Sequence, residues 1–151
     1  MNSRTLSGLF AILALPFPLL ASLGGDTTSV QADQTKMQGS RLTTSSDSFT
    51  VHEIQASTGI AVKEYVSPAG KVFAVTWQGP AHPDLRQLLG TYFDQYSQEV
   101  QAQRSHRHGH GPLLIQLPGL VVQSAGHPRS FLGRAYVPQM LPAGVRAEDL
   151  R

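Results

Sequence analysis

Cysteine is absent from the 151-residue chain, which excludes disulfide bridges, thiolate zinc sites, a cysteine nucleophile and a lipid anchor on cysteine. Asparagine occurs only at position 2, so the chain has no N-glycosylation sequon. Charged residues are few, at 15%, and Lys and Arg exceed Asp and Glu by only two. Because the two signs are scattered and form no basic stripe, the charge pattern predicts no nucleic-acid partner.

A long apolar run is confined to the N-terminus, where Arg4 precedes the stretch from Leu6 to Leu15. Two prolines and small residues follow, and this order is typical of a secretory signal peptide. We therefore expect residues 1–23 to be a leader, with the mature chain beginning between Ser22 and Gly25. A membrane anchor is the alternative, since the apolar stretch is almost long enough to span a bilayer. The prolines and the lack of a basic stop-transfer cluster argue against an anchor.

The leader also predicts where the protein is located. Its bacterial appearance indicates a periplasmic or secreted protein with no stable membrane insertion after cleavage. A cysteine-free mature chain of about 125 residues has to rely on its hydrophobic core, which is feasible at this size.

Composition divides the mature chain into two parts. Residues 24–48 are rich in Ser, Thr, Gln and Gly, which predicts a loosely attached polar arm. Residues 49–151 are predicted to form a single domain. Within the arm, residues 29–37 could form a short helix capped by Ser29. One weakly apolar face of that helix would consist of Val30, Asp33 and Met37.

Strands are predicted at both ends of the domain. Apolar residues at period two, separated by turn residues, predict an antiparallel meander of three strands. These strands span residues 49–55, 60–66 and 71–77, and three later strands span residues 113–117, 120–123 and 130–137. Gly133, inside the last strand, indicates a bulge or a close approach of the backbone.

An amphipathic helix is predicted between the two groups of strands. Pro83 and Asp84 are typical of a helix N-terminus. Apolar side chains then recur on an arc of about 140°, at Leu85, Leu88, Leu89, Tyr92, Phe93, Tyr96 and Val100. Strands, one helix and strands again predict an α+β fold, in which an antiparallel sheet packs the amphipathic helix on one face.

Five stretches of the mature chain have a recognisable pattern: residues 23–25 (LGG), 64–80 (EYVSPAGKVFAVTWQGP), 83–90 (PDLRQLLG), 116–124 (QLPGLVVQS) and 133–138 (GRAYVP). The chain resembles, at these residues, a proteobacterial secreted family known as domain of unknown function 2844. The resemblance covers nearly the whole mature chain and implies a leader followed by one envelope domain. It implies no activity, ligand or catalytic residue.

Motifs for common enzyme chemistry are missing. His52-Glu53 lacks the second histidine of a zinc-protease motif, and Gly70-Lys71 lacks the flanking residues of a phosphate-binding loop. No Gly-x-Ser-x-Gly elbow is present either. The motifs therefore identify no catalytic residue, and we predict no cofactor. An enzyme whose site is assembled in space from distant residues is the first alternative.

Two glutamates lie on strands that are expected to pair. Glu53 and Glu64 could approach each other as paired carboxylates, whose pKa values would separate if they were buried together. We favour a different interpretation, in which each glutamate lies on the solvated face beside Lys63 or Lys71 in a cross-strand ion pair.

The loop between the third strand and the helix supplies the candidate ligand site. Trp77, His82 and Asp84 could present an aromatic wall, an imidazole and a carboxylate to a ligand. We expect Trp77 to be first of all a large core residue under the helix.

A second candidate site is the segment between the helix and the later strands. In an extended backbone, His106, His108 and His110 would point to the same side, which suits Zn²⁺, Cu²⁺ or Ni²⁺. We expect solvated histidines in a polar loop instead. A weak metal-binding accessory protein is thus the second alternative.

The leading hypothesis is a non-enzymatic domain that binds another envelope component. That component is a protein or a small ligand, and the contact is made through the sheet or the loop from Trp77 to Asp84.

Overall fold

The computed structural model describes residues 23–104 and 111–151. Within these residues, seven antiparallel strands form one sheet, and three α-helices accompany it. The strands are β1 (Ser40–Ser45), β2 (Thr50–Gln55), β3 (Ala61–Val66), β4 (Val72–Gly79), β5 (Leu113–Leu117), β6 (Leu120–His127) and β7 (Ser130–Tyr136). The helices are α1 (Thr27–Met37), α2 (Leu85–Leu89) and α3 (Phe93–Arg104). The predicted α+β fold, an antiparallel sheet with a helix packed against it, is confirmed.

The sheet consists of two meanders joined side by side. Its strand order is β1-β2-β3-β4-β7-β6-β5, so β1 to β4 follow one another and β5 to β7 return in reverse order. The two meanders meet where β4 pairs with β7, with Trp77 opposite Gly133. Helices α2 and α3 connect β4 to β5.

The predicted helix over residues 83–100 exists, but it is not continuous. Asp84 caps α2 by accepting hydrogen bonds from the backbone N–H groups of Arg86 and Gln87, at 2.9 and 3.2 Å. Helix α2 ends at Gly90, whose φ of 51° suits a residue without a Cβ. A 3₁₀ turn follows, and α3 begins at Phe93. The expectation of one unbroken helix is therefore wrong at Gly90.

Residues 24–48 belong to the sheet and the core rather than to a loosely attached arm. Helix α1 buries Val30 completely, and β1 pairs along its whole length with β2. The helix also begins earlier than expected. Asp26 is its N-cap and accepts a hydrogen bond from the backbone N–H of Thr28, whereas Ser29 lies inside the first turn. The polar composition of residues 24–48 therefore does not indicate that one face of α1 is buried.

The sheet has one face covered by helices and one that is largely open, because successive residues of a strand point to opposite sides. On the helix face, Val62 and Val122 belong to the largest apolar cluster, together with residues of α1 and α2. On the opposite side, which we call the open face, the C-terminal tail over residues 138–151 covers one end. There Leu150 packs in a smaller cluster with Tyr65.

Candidate functional site

A groove of about 760 Å³ lies on the part of the open face that the tail leaves uncovered. We call it the open-face groove. One row of facing residues crosses it on five neighbouring strands, and these residues are Glu53, Lys63, Thr76, Arg134 and Gln123. Leu114 and Leu132 line the same groove and are 45% and 52% exposed. Large apolar side chains exposed within a concave surface are typical of a binding site.

Two of the cations that line the open-face groove, Lys63 and Arg134, already have partners. Lys63 Nζ lies 4.0 Å from Glu53 Oε2. The guanidinium of Arg134 donates to Gln123 Oε1 and to the backbone carbonyl of Ala147, both at 2.6 Å. Since these charges are satisfied within the protein, the groove offers mainly apolar surface to a ligand. The pairing of Glu53 with Lys63 also confirms the interpretation favoured for Glu53.

A second groove, of about 700 Å³, lies between α3 and the hairpin that joins β6 to β7. We call it the hairpin groove. His82 enters it from the loop before α2 and contacts Phe131 of β7 in a tilted arrangement, with 4.2 Å between the ring centroids. Val100 and Arg104 of α3 form the opposite wall.

The structure does not bring the predicted ligand residues together. Trp77 is 2% exposed in the apolar cluster on the helix face, and it is also among the residues that line the open-face groove. His82 lines the hairpin groove, and Asp84 caps α2. The three residues therefore lie in three different environments. The close backbone approach predicted for Gly133 is confirmed, because a Cβ there would lie 2.2 Å from Cζ2 of Trp77.

A pair of buried carboxyl groups occupies the helix face. Glu64 of β3 and Asp33 of α1 are both fully buried, and the side-chain amide of Gln87 from α2 donates to Asp33 Oδ1. The expectation that Glu64 lies on the solvated face is therefore wrong. Its strand neighbours Val62 and Val66 are buried as well, so Glu64 occupies an apolar position of the strand.

A proton shared by this pair explains how two acids can be buried together. If both were ionised, Asp33 Oδ2 and both oxygens of Glu64 would have no hydrogen-bond donor among the described residues. Burial, followed by the hydrogen bond and the negative charge of Asp33, raises the pKa of Glu64 to about 10. Burial also raises the pKa of Asp33. Glu64 is thus a protonated donor to Asp33 at neutral pH.

The buried pair has no access to a substrate, since neither residue is exposed to solvent. It therefore links α1 to β3 and does not form a reaction site. The missed signal was the position of each acid within an otherwise apolar face.

His106, His108 and His110 lie outside the described residues, so the proposed metal site stays a prediction. Among residues 23–104 and 111–151, no cluster of three or more His, Asp or Glu side chains could hold a metal ion. In the same part of the chain, none of the helices combines the length and apolar character needed to cross a membrane.

The chain was compared with protein-family models, curated proteins and solved structures. The family model described as "Protein of unknown function (DUF2844)" matches residues 20–150. Neither the curated proteins nor the solved structures gave a match.

Proposed function

The chain belongs to the DUF2844 family, and we propose that it is an exported, non-enzymatic domain that binds another envelope component in the open-face groove. The observation that carries this proposal is the pair Leu114 and Leu132, which are half exposed inside a concave surface. Apolar surface exposed inside a concave site is typical of a site that binds a protein or a small ligand.

The expected occupant is an uncharged, apolar part of a partner, either a side-chain cluster of a protein or the body of a small ligand. Lys63 and Arg134 are engaged by Glu53 and Gln123, so a charged ligand would have to break these contacts. Amide side chains such as Gln55 and Gln78 at the rim can donate and accept hydrogen bonds without adding charge. This combination favours an amphipathic occupant with no net charge.

The packing of Leu23 bears on the proposed export. Its side chain is 1% exposed, and its backbone N–H donates to the carbonyl of Leu88 at 2.9 Å. Cleavage after Leu23 would remove a core residue, so we propose that the mature chain begins at Ser22 or Leu23. Intact-mass measurement of protein recovered from the envelope tests this. A start at Gly24 or later, or retention of Met1, would contradict it.

Binding in the open-face groove can be tested with Nile red, a neutral fluorescent probe of apolar sites. We expect the wild-type protein to enhance its fluorescence and Leu132→Asp to abolish most of the enhancement. Leu42→Asp is the matched control, because Leu42 is on the same face and 66% exposed but does not line the groove. Equal effects of the two substitutions would contradict the assignment of the groove.

The natural occupant can be sought by placing a photoreactive amino acid at position 114 or 132 in the native host. We expect both positions to cross-link to one common species, which the reactive group at position 42 does not capture. Cross-linking from position 42 alone, or from none of the three positions, would overturn the proposal.

A further inference from the structure

We propose that the hairpin groove is a second binding site, which takes an amphipathic anion with one carboxylate or phosphate head group and an apolar body. The proposal goes beyond the proposed function of the open face, because His82, Val100 and Arg104 line the hairpin groove and do not line the open-face groove, although the two grooves adjoin. Its volume, about 700 Å³, is in the range of small-ligand sites.

The shape of the groove suits an amphipathic molecule. Its apolar surface comes from three separate elements: Val100 of α3, Leu113 of β5 and Phe131 of β7. The ring of Phe131 contacts His82, at 4.2 Å between centroids. An aliphatic or aromatic body would therefore contact apolar side chains on more than one side.

The charged residues of the hairpin groove indicate which head group the ligand has. Its described lining residues include Arg104, His82 and His127 but no Asp or Glu. The chain's ten acidic residues all lie in the described part, and none forms an ion pair with Arg104. An unpaired guanidinium beside an apolar surface is well suited to bind a carboxylate or phosphate.

The two acids nearest in sequence to the groove are engaged elsewhere. Asp84 accepts two backbone hydrogen bonds at the start of α2, and Glu99 accepts one from the side chain of Gln103. Neither is among the residues that line the groove. The groove therefore keeps a positive character, whereas Lys63 and Arg134 of the open-face groove have partners within the protein.

The proposal can be tested by displacing cis-parinaric acid, a fluorescent fatty acid, from the purified exported protein. The competitors share one alkyl body and differ only in the head group: dodecanoate, dodecyl phosphate, dodecanol and dodecyltrimethylammonium. We expect dodecanoate or dodecyl phosphate, or both, to compete at least tenfold better than the neutral and cationic compounds. Inorganic phosphate alone is included and should not compete, because it has no apolar body.

Substitutions at Arg104 assign the binding to this groove. Loss of one charge-assisted hydrogen bond should weaken anion binding by about tenfold or more in Arg104→Gln, while Arg104→Lys should retain most of it. Arg41→Gln, on the distant strand β1, is the control and should change the affinity by less than about twofold. Melting temperature verifies that each variant is folded.

Three results would overturn the proposal: no binding of the fatty acid, equal competition by dodecanol, or an unchanged affinity in Arg104→Gln. If Leu132→Asp weakened the affinity and Arg104→Gln left it unchanged, the anion would instead bind in the open-face groove. Leu113, Ser124 and Ala125 line both grooves and are therefore unsuitable for this test.

Discussion

Lys63 and Glu64 are neighbours on β3, but they lie on opposite faces of the sheet and in opposite environments. On the open face, Lys63 is partly exposed and lies near Glu53. On the helix face, Glu64 is fully buried against Asp33 of α1. Two glutamates of one sheet thus lie in different environments, because a helix covers Glu64 and solvent reaches Glu53. Whether a helix covers the side chain, and not the strand sequence alone, therefore determines the environment of each carboxyl group.

Leucines show the same contrast. Leu88 and Leu89 of α2 have no exposed surface, whereas Leu42, Leu114 and Leu132 on the open-face side are 45% to 66% exposed. Burial of an apolar side chain stabilises the fold in proportion to the area removed from water. Leucines on the helix side therefore support folding, and those on the open side are available for binding.

The same leucine-to-alanine change on the two sides should have very different costs. Leu89→Ala should lower the free energy of unfolding by about 2–5 kcal/mol, because it leaves a cavity in the core. Leu42→Ala, and Thr91→Ala on the exposed side of the helical segment, should each change it by less than about 0.5 kcal/mol. Urea denaturation measures all three. Similar costs for Leu89 and Thr91 would mean that the helical phase is wrong.

A methyl group added where the two meanders meet tests how tightly the helix face is packed. In Gly133→Ala, the new Cβ would lie 2.2 Å from Trp77 Cζ2 and 2.8 Å from the carbonyl oxygen of Gln123. The ring has to move, so we expect a loss of about 1–3 kcal/mol in chemical denaturation. Gly119→Ala is the control, since a Cβ there meets nothing within 4 Å. Equal stability of the two variants would contradict the packing of Trp77 on Gly133.

The pH dependence of stability should come from the helix face. The folded-state pKa of Glu64, about 10, is above its ordinary value of 4.5, so the unfolded chain loses this proton first as pH rises. The resulting stability is complete below about pH 4.5 and falls as pH rises towards 10, by at most about 1.4 kcal/mol per pH unit. We therefore expect the melting temperature to fall between pH 6 and pH 8.

Two glutamine variants assign this pH effect to one face. Glu64→Gln removes the titrating proton but keeps a donor for Asp33, so its melting temperature should depend less on pH. Glu53→Gln on the open face should keep the wild-type dependence. A wild-type melting temperature that rises from pH 6 to pH 8 would exclude a shared proton in the buried pair.

Local sequence patterns predict six of the seven described strands. The bounds expected for β5 are those observed, and β2, β3 and β7 differ by one residue at an end. The expected β4 starts one residue early and ends two residues early, the expected β6 ends four residues early, and β1 is not predicted because its segment is polar. Period-two alternation and turn residues are local properties, so they can be recognised without knowledge of packing. The break at Gly90 was missed because the apolar residues on both sides of it still face the sheet.

The buried pair could not be predicted with equal ease, because its two members are far apart in the sequence. Asp33 was expected on the weakly apolar face of α1, and Glu64 alternates with Val62 and Val66 on β3. Each was thus a charged residue at an apolar position, which was a usable signal. Their contact depends on how α1 packs on the sheet, and local periodicity contains no information on that packing. The two grooves likewise combine residues from several elements.

The junction of β4 and β7 also has a consequence for how the chain folds. Strands β1 to β4 form from segments adjacent in sequence, and so do β5 to β7, whereas pairing β4 with β7 closes a loop of roughly fifty residues. Contacts between distant segments form slowly, so we expect two preformed halves that dock in the last step. Trp77, the only tryptophan of the chain, lies at this seam, so its fluorescence should report the docking step separately from the formation of the hairpins.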